Sequence, residues 1–326
     1  MAKYIYGIIN SESKKSFGNI GMGNGEIYCV QFEDIGAVVS DVFDNCKIGV
    51  EEAKIHDEVL RKIMEPYTVI PMGFGIVAKN DEEIINILKR GRMKLKKTLE
   101  KVDNKLQINI KISWDKAILA NILNENIEIR KLASQVKENL DQSLRIELGR
   151  KVSAALDEKK AEYLEDIERG LKGLSFDFEE SKTVDQDMLM NAAFLVDKTR
   201  NQEFYSKLVE FENKYANKLK FHAVGPLPAY NFTKIGVKKI DFNVLDEARK
   251  TLGLSQEVSI SEINSAYHNL ARKYHPDLHP DDPTCEKLFK KIRDAQILLT
   301  KYCEHHLCSL EKAEVEENIL VEEKSS

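Results

Sequence analysis

The stretch that decides the fold class is residues 106–114, Leu106-Gln107-Ile108-Asn109-Ile110-Lys111-Ile112-Ser113-Trp114. Apolar and polar residues alternate through it without an error, which predicts a β-strand with one buried face. Earlier in the chain, Tyr4–Ile9, Ile27–Phe32 and Ile35–Val42 are rich in β-branched and aromatic residues and read as further strands. The first 115 residues therefore contain several strands.

Two helical patterns separate these strands. Glu51–Met64 carries an apolar face and stops before Pro66, and Asp81 begins a second helix with Leu88 and Leu95 on one face. Strands and helices mixed in this order predict an α+β fold with the helices on one face of a sheet. We assign residues 1–115, including the alternating strand, to an N-terminal α+β lobe.

Residues 116–240 are predicted to form a second α+β lobe that contains a long helix. Residues 127–170 lack proline and repeat an apolar residue every four positions, which favours a bent or interrupted helix, with the break at Gly149. Strands are predicted around 174–178, 188–196 and 221–224, with an amphipathic helix over 204–215. We find no repeat between the two lobes.

Residues 243–303 read as a small all-α domain. Ser259 and Glu262 form a capping-box pattern for a helix that runs to Tyr274, and the run His275-Pro276-Asp277 breaks that helix. A last helix follows over 284–302. The short basic stretch 234–241 is predicted to be a linker, and residues 304–326 a mobile acidic tail.

Composition excludes several classes of protein. The chain has 326 residues, 42% apolar and 32% charged, which is typical of a soluble protein with two or three domains. Residues 304–326 hold seven acids and two bases, which leaves 47 of each sign in residues 1–303. This neutral body disfavours nucleic acid as a partner. The longest apolar run, Met188–Val196, is too short to span a membrane.

The five cysteines are odd in number and form no CxxC pair. We therefore expect free thiols and a cytoplasmic protein. Two Cys/His/Asp clusters lie near the C-terminus, but the spacing of neither cluster favours coordination of one metal ion by several side chains. We therefore predict no metal site and no cofactor. The clusters are His275, Asp277, His279, Asp281 and Asp282, and Cys303, His305, His306 and Cys308. No catalytic motif is present, so we predict no catalytic residues and no enzyme.

The helix, His-Pro-Asp loop and second helix resemble the J-domain of DnaJ-type co-chaperones. The resemblance includes Leu252-Gly253-Leu254, the run Arg272–Asp277 and the spacing of Phe289, Ile292, Ala295 and Leu298. It implies a DnaK-type chaperone as partner, whose ATPase the domain stimulates. The implied chaperone-binding residues are His275, Pro276 and Asp277 in the loop, with Arg272 and Lys273 on the preceding helix.

Three positions depart from the J-domain pattern. Gln296 replaces the usual tyrosine, and His268 and Asn269 stand where Lys or Arg is common. These departures predict weaker affinity for the chaperone. A degenerate J-fold kept only for docking is the alternative interpretation.

Residues 1–232 carry a second resemblance, to the gas vesicle GvpF/GvpL family. It rests on five segments: Tyr4–Ile9, Ile70–Gly75, Lys111–Asp115, Asn191–Val196 and Gly225–Phe232. The resemblance implies two ferredoxin-like lobes with a long helical region between them. The last segment is either a contact for the vesicle shell protein or a structural strand exit, and its key residues are Gly225, Pro226, Pro228, Tyr230, Asn231 and Phe232. Leu227 and Ala229 replace the family's usual Trp and Pro.

Together the two resemblances imply a non-enzymatic accessory protein of gas vesicle assembly. Its implied partners are the hydrophobic shell protein GvpA, other gas vesicle proteins and a DnaK-type chaperone, and its implied location is the cytoplasmic gas vesicle. The alternatives are a general J-domain co-chaperone with another client, and an enzyme with an unrecognised site between the lobes. A tight pocket lined by charge-perturbed side chains would favour the enzyme.

Overall fold

The computed structural model describes residues 1–11, 13, 15–43, 49–138, 141–185, 187–239, 241–278, 282–303, 307–312, 315 and 319–323. In these residues the chain forms two mixed α/β lobes with antiparallel sheets and a C-terminal helical unit. No helix in the described part of the chain is both long and apolar enough to cross a membrane.

The first lobe is built on one antiparallel sheet. Its strands are β1 (Ala2–Asn10), β2 (Ser16–Gly18), β3 (Ile27–Phe32), β4 (Ile35–Val42), β5 (Val69–Pro71) and β6 (Val77–Ala78). The sheet order is β2-β3-β4-β1-β5, and β6 also pairs with β1.

Helices cover both faces of this sheet, so the predicted one-sided packing is wrong. Helix α1 (Val50–Met64) packs on the face that carries Tyr4 and Tyr6, and α2 (Asp81–Lys101) packs on the face that carries Ile5 and Ile8. The physical reason is that β1 is apolar on both sides, and a strand of that kind is stable only when both of its faces are buried.

The second lobe has the ferredoxin-like strand order. Its strands are β7 (Lys105–Trp114), β8 (Asp177–Glu180), β9 (Met188–Asp197) and β10 (Leu219–Leu227), in the antiparallel order β10-β7-β9-β8. Because β7 is central in this sheet, its assignment to the first lobe is wrong. Its apolar face is buried opposite β9 residues, with Ile108 beside Phe194 and Ile110 beside Ala192.

Helices connect the strands of the second lobe. Between β7 and β8 lie α3 (Ile118–Glu125), α4 (Ile127–Glu138) and α5 (Gln142–Lys172), and α6 (Asn201–Lys214) joins β9 to β10. The long helical region is interrupted before α5, where Asp141 caps the helix by accepting from the Ser143 backbone N–H at 2.8 Å. The predicted break at Gly149 is wrong, since α5 continues through that residue.

The C-terminal unit is helical with two short strand pairs. In chain order it contains β11 (Ile235–Lys239), α7 (Phe242–Leu252), β12 (Glu257–Ser259), α8 (Ile260–Tyr274), α9 (Pro283–Tyr302), β13 (Leu307–Ser309) and β14 (Ile319–Glu323). The three helices enclose Leu245, Ile263 and Leu299, which are fully buried. The prediction of an all-α domain did not include these strands, which form two antiparallel pairs: β12 with β13, and β11 with β14.

Three expectations about this unit change. Residues 235–239 form β11 rather than a linker, and residues 319–323 of the predicted mobile tail form β14. The strand pair β12–β13 carries Cys308 back to the end of α9, where it forms a disulfide with Cys303. The prediction of free thiols is therefore wrong for this pair; Cys29 and Cys285 are free, and Cys46 lies outside the described residues. The division into separate domains stays a prediction.

Candidate functional site

Helix α8 leads into the His-Pro-Asp loop and is fixed at its start by the predicted capping box. The Ser259 hydroxyl accepts from the Glu262 backbone N–H at 3.3 Å, and the Glu262 carboxylate accepts from the Ser259 N–H at 2.8 Å. Ile263 is fully buried, while Leu270 and Tyr274 pack partly buried against the same core. The apolar side of α8 therefore faces α7 and α9, and the other side faces solvent.

The loop presents an exposed carboxylate beside a supported imidazole. His275 leaves the helix in an extended conformation, and Pro276–Leu278 form one 3-10 turn. The His275 ring meets the Phe289 ring of α9 edge-on, with 5.2 Å between centroids. The Asp277 side chain is 86% exposed. An imidazole packed on α9 and an exposed carboxylate 3.5 Å from its Nδ1 form a polar surface for a partner in one short turn.

The His275 ring is also held by its own turn. The backbone N–H of Asp277 donates to His275 Nδ1 at 3.3 Å. The same nitrogen lies 3.5 Å from Asp277 Oδ2, so the ring contacts both the backbone and the side chain of Asp277.

Arg272 and Lys273 are exposed in the last turn of α8, directly before the loop. The Lys273 ammonium lies 5.2 Å from the centre of the Tyr274 ring. One turn earlier, His268 and Asn269 are also exposed. The five sequence-predicted residues of this site therefore lie together, two in the last turn of α8 and three directly after it. Arg272 and Lys273 are the Lys and Arg residues of α8.

Gln296, which departs from the family pattern, connects the two helices that hold the loop. Its side-chain amide donates to Asn264 Oδ1 of α8 at 3.0 Å and to Thr300 Oγ1 of α9 at 3.3 Å. Gln296 therefore forms a polar contact between α8 and α9.

The described residues contain no group of three or more His, Cys, Asp or Glu side chains placed to hold a metal ion. His279, Asp281, His305 and His306 of the two predicted clusters lie outside those residues. Cys303 and Cys308 are joined to each other.

The second sequence-predicted segment, Gly225–Phe232, forms hydrogen bonds with both lobes. The Tyr230 hydroxyl donates to Asp57 Oδ1 at 2.7 Å, and the Arg61 guanidinium donates to the Pro226 carbonyl at 3.0 Å. Both partners belong to α1 of the first lobe. Burial and the bond to Asp57 raise the pKa of Tyr230, while hydrogen bonds from Arg61 and Tyr230 outweigh burial and lower the pKa of Asp57.

The same segment is fixed to the second lobe through Asn231. The Gln107 side chain of β7 exchanges two hydrogen bonds of 2.8 Å with Asn231, one to its side chain and one from its backbone N–H. Pro228 is buried, and Phe232 is 7% exposed. A Cβ at Gly225 would lie 3.1 Å from the Gln107 carbonyl and from the Tyr205 hydroxyl, closer than most Cβ contacts, so this position favours glycine.

Sequence reasoning missed Asp57, Arg61 and Gln107. One signal was available: Gln107 is 1% exposed although it stands at a polar position of an alternating strand. A buried amide of this kind needs a hydrogen-bonding partner. Nothing in the sequence indicated Asp57, since an Asp on a helix usually faces solvent.

A cavity of about 600 Å³ opens at the edge of the first lobe. Its lining is mainly apolar and consists of Met1, Ala2, Tyr4, Met22, Val42, Phe43, Glu52, Val77, Ala78 and Lys79. Met1 is 76% exposed and Phe43 is 81% exposed. Tyr4 reaches from this lining to His56, with 2.9 Å between its hydroxyl and Nδ1, and burial lowers the pKa of His56. The exposed apolar side chains favour contact with an apolar partner.

With this geometry established, comparison with known proteins assigns both parts of the chain. The model of the family described as gas vesicle synthesis protein GvpL/GvpF matches residues 2–234. The chain belongs to the GvpL/GvpF family. A DnaJ domain model matches residues 249–303, so this GvpL/GvpF protein carries a J-domain at its C-terminal side.

Individual relatives agree with both assignments. Gas vesicle protein F of Streptomyces sp. (strain CB03234) is 25% identical over 240 residues, covering 72% of this chain and 100% of that protein. Chaperone protein DnaJ of Halothermothrix orenii is 49% identical over 49 residues, 15% of this chain and 13% of that protein. The crystal structure of GvpF from Anabaena sp. PCC7120 has a TM-score of 0.62 at 22% identity, covering 71% of this chain and 98% of that one.

These comparisons confirm the two resemblances stated from the sequence, and the solved structure confirms the fold of the two lobes. The chain therefore combines a body of the GvpL/GvpF family with the domain that characterises DnaJ-type co-chaperones. Neither family is named for an enzymatic activity.

Proposed function

We propose that the protein is an assembly factor of cytoplasmic gas vesicles that binds the hydrophobic shell protein GvpA and recruits a DnaK-type chaperone to it. The shell protein needs such help, because apolar strand-forming surfaces aggregate before they assemble. The observation that supports the proposal most strongly is the fusion of a GvpL/GvpF body with a His-Pro-Asp loop on one chain.

The geometry of the loop supports the recruiting half of the proposal. Asp277 is exposed in the turn, His275 and Pro276 are half-buried, and the His275 ring packs against Phe289. Arg272 and Lys273 are exposed in the last turn of α8, directly before them. In our proposal Asp277 and the two bases contact the chaperone, while the His275 ring sets the shape of the turn. With two basic residues on this end of α8, we expect moderate affinity for the chaperone.

The binding half of the proposal concerns the first lobe. We assign Gly225–Phe232 a structural role, because its groups are engaged by Asp57, Arg61 and Gln107. The exposed apolar side chains around the cavity, Met1 and Phe43 above all, are the better candidates for contact with the shell protein.

The recruiting half is tested by the ATPase of a DnaK-type chaperone from the same host. We expect the full chain to stimulate hydrolysis and Asp277→Asn to abolish the stimulation. Asp294→Asn on α9 is the matched control, because its side chain is 55% exposed and lies outside the loop. The absence of stimulation by the wild-type chain would refute recruitment.

The binding half is tested by copurification from cells with and without the shell protein. We expect the shell protein to be recovered with the full chain, and with residues 1–240 alone. Recovery of other proteins in equal amounts from cells that lack the shell protein would instead identify a general co-chaperone.

A further inference from the structure

The J-domain is bracketed by the two strands of a single ribbon. The chain enters the J-domain after β11 (Ile235–Lys239) and later returns as β14 (Ile319–Glu323), which pairs antiparallel with β11. The register joins Ile235 to Glu323, Val237 to Val321 and Lys239 to Ile319. We call β14 the C-terminal strap. Both ends of the J-domain segment therefore meet in one ribbon.

The ribbon lies on the first lobe. Ile235 is 4% exposed and belongs to the same buried cluster as Leu88 and Leu95 of α2, with Val237 packed against that cluster. The strap itself runs alongside α2. Just before β11, the Lys234 ammonium pairs with Glu179 of β8. β11 is thus fixed to the two lobes by its own packing. Its strand partner comes from much further along the chain, since Val321 lies 84 positions after Val237.

The charges of the two partners are opposite. Residues 89–101 of α2 hold seven bases and one acid, Glu100. Arg92 and Lys96 contact Asp34, and Lys101 contacts Asp177. The strap ends in Glu322 and Glu323, and residues 311–317 before it hold four more acids. Residues 89–101 therefore carry a net charge of +6, and the acidic strap, which contacts α2, is attracted to them.

We propose that β11 and α2 form a strand-acceptor site on the first lobe, and that the C-terminal strap of the same chain occupies it as a releasable latch. The site selects an extended apolar segment with acidic residues at its end. With the strap in place, the J-domain is anchored at both ends. When the strap leaves, the J-domain remains attached through β11 alone and is free to reorient on the body.

The strap can act as a releasable latch only if its pairing with β11 is less stable than the J-domain itself, and this condition is met. An isolated two-stranded ribbon is marginally stable in water, so its stability here comes from the packing of β11 and from charge. The helices of the J-domain bury a core of their own, which includes Leu245, Ile263 and Leu299. Loss of the strap therefore leaves that core in place. This inference does not depend on the identity of the client.

Hydrogen exchange of the full chain tests the latch. A stop after Asn318 removes the strap and keeps β13, the Cys303–Cys308 pair and Val315, which is fully buried in the J-domain core. We expect the β11 amides to exchange at least about tenfold faster in this variant, since they lose their strand partner, and the α8 amides to stay unchanged. Val321→Pro should act in the same way because proline cannot donate to a strand partner, whereas Val321→Thr should leave β11 protected.

Adding the strap as a peptide supplies the second arm of the experiment. A peptide of residues 319–326 should restore β11 protection in the shortened chain. The E322K/E323K peptide should bind at least about tenfold more weakly, and affinity for the native peptide should fall between 50 and 500 mM salt as charges are screened, by roughly tenfold.

Four results would overturn the proposal. The first is unchanged β11 exchange after removal of the strap. The second is loss of α8 protection in the same variant, which would make the strap part of the J-domain fold. The third is failure of the peptide to bind. The fourth is a dimeric full chain that becomes monomeric without the strap, which would place the strap on a second copy.

Discussion

The hydroxyl of Tyr230 donates a 2.7 Å hydrogen bond to the carboxylate of Asp57, two residues separated by 173 positions in the sequence. Tyr230 belongs to the strand exit of the second lobe, and Asp57 to α1 of the first. Arg61 completes the contact by donating to Asp57 at 2.6 Å and to the Pro226 carbonyl at 3.0 Å. The proline-rich segment therefore fixes how the lobes meet.

Tyr230→Phe removes one hydrogen bond to a carboxylate and leaves the ring in place. We expect the variant to lose about 1 kcal/mol of stability and about 2–4 °C in Tm. The loss is modest because the Asp57 carboxylate retains its hydrogen bond from Arg61 and remains partly exposed to solvent. Thermal unfolding measures this. The control is Tyr205→Phe: Tyr205 is half-buried, and burial alone raises its pKa, with no contribution from a carboxylate such as Asp57. Equal losses in the two variants would show that the bond to Asp57 contributes nothing.

The buried His56 predicts a loss of stability in mild acid. Burial lowers its pKa, while a hydrogen bond to the Met72 carbonyl and the Asp57 charge oppose that shift. The unfolded chain, with an ordinary pKa near ~6.5, therefore binds a proton more readily than the folded chain. Its contribution to stability is fully present above pH ~6.5 and decreases as pH falls towards the folded pKa.

Urea unfolding at several pH values between ~7 and ~5 checks this dependence. His56→Phe removes the titrating group, so we expect its stability to vary less with pH than that of the wild type. The exposed His222 provides the control, and His222→Gln should behave like the wild type. An identical pH dependence for wild type and His56→Phe would contradict the role of burial.

Short-range patterns predicted the J-domain and its loop. The capping box at Ser259, the apolar face of α8 and the proline at 276 all act within a few residues, so the sequence was sufficient to place them. Alternation also predicted β7 and its buried face. It could not identify the sheet, because alternation defines which face of a strand is buried and carries no information about its neighbours.

The remaining features depend on distant parts of the chain. Residues 235–239 read as a basic linker because their strand partner, residues 319–323, lies in an acidic segment that itself reads as mobile. The hydrogen bond between Tyr230 and Asp57 is equally hidden, since each residue alone is ordinary in its local setting. Contacts of this kind form only when helices and strands from distant parts of the chain pack together, so local sequence patterns do not predict them.

Phe43 is expected to contribute to binding of the shell protein. Its side chain is 81% exposed at the mouth of the apolar cavity, and burial of a phenylalanine typically contributes about 1.5–3 kcal/mol. Phe43→Ser should therefore weaken binding by about tenfold or more. Ile146→Ser is the control, because Ile146 is an exposed apolar residue of α5 outside this cavity.

The same binding assay tests the nature of the contact. Residues 1–303 carry equal numbers of acids and bases, so we expect binding to change little between low and moderate salt. Loss of binding over that range would point to contact through charges. An unchanged affinity of Phe43→Ser would exclude the cavity mouth as part of the contact surface.

The most direct measurement of the central claim is vesicle yield in a strain that lacks this gene. The intact chain should restore vesicles, because binding of the shell protein and recruitment of the chaperone then occur on one molecule. Asp277→Asn in the intact chain should fail, and residues 1–240 and 241–326 supplied as separate chains should fail as well. Full vesicle yield from the Asp277→Asn chain would contradict the account, since the J-domain would then be dispensable for assembly.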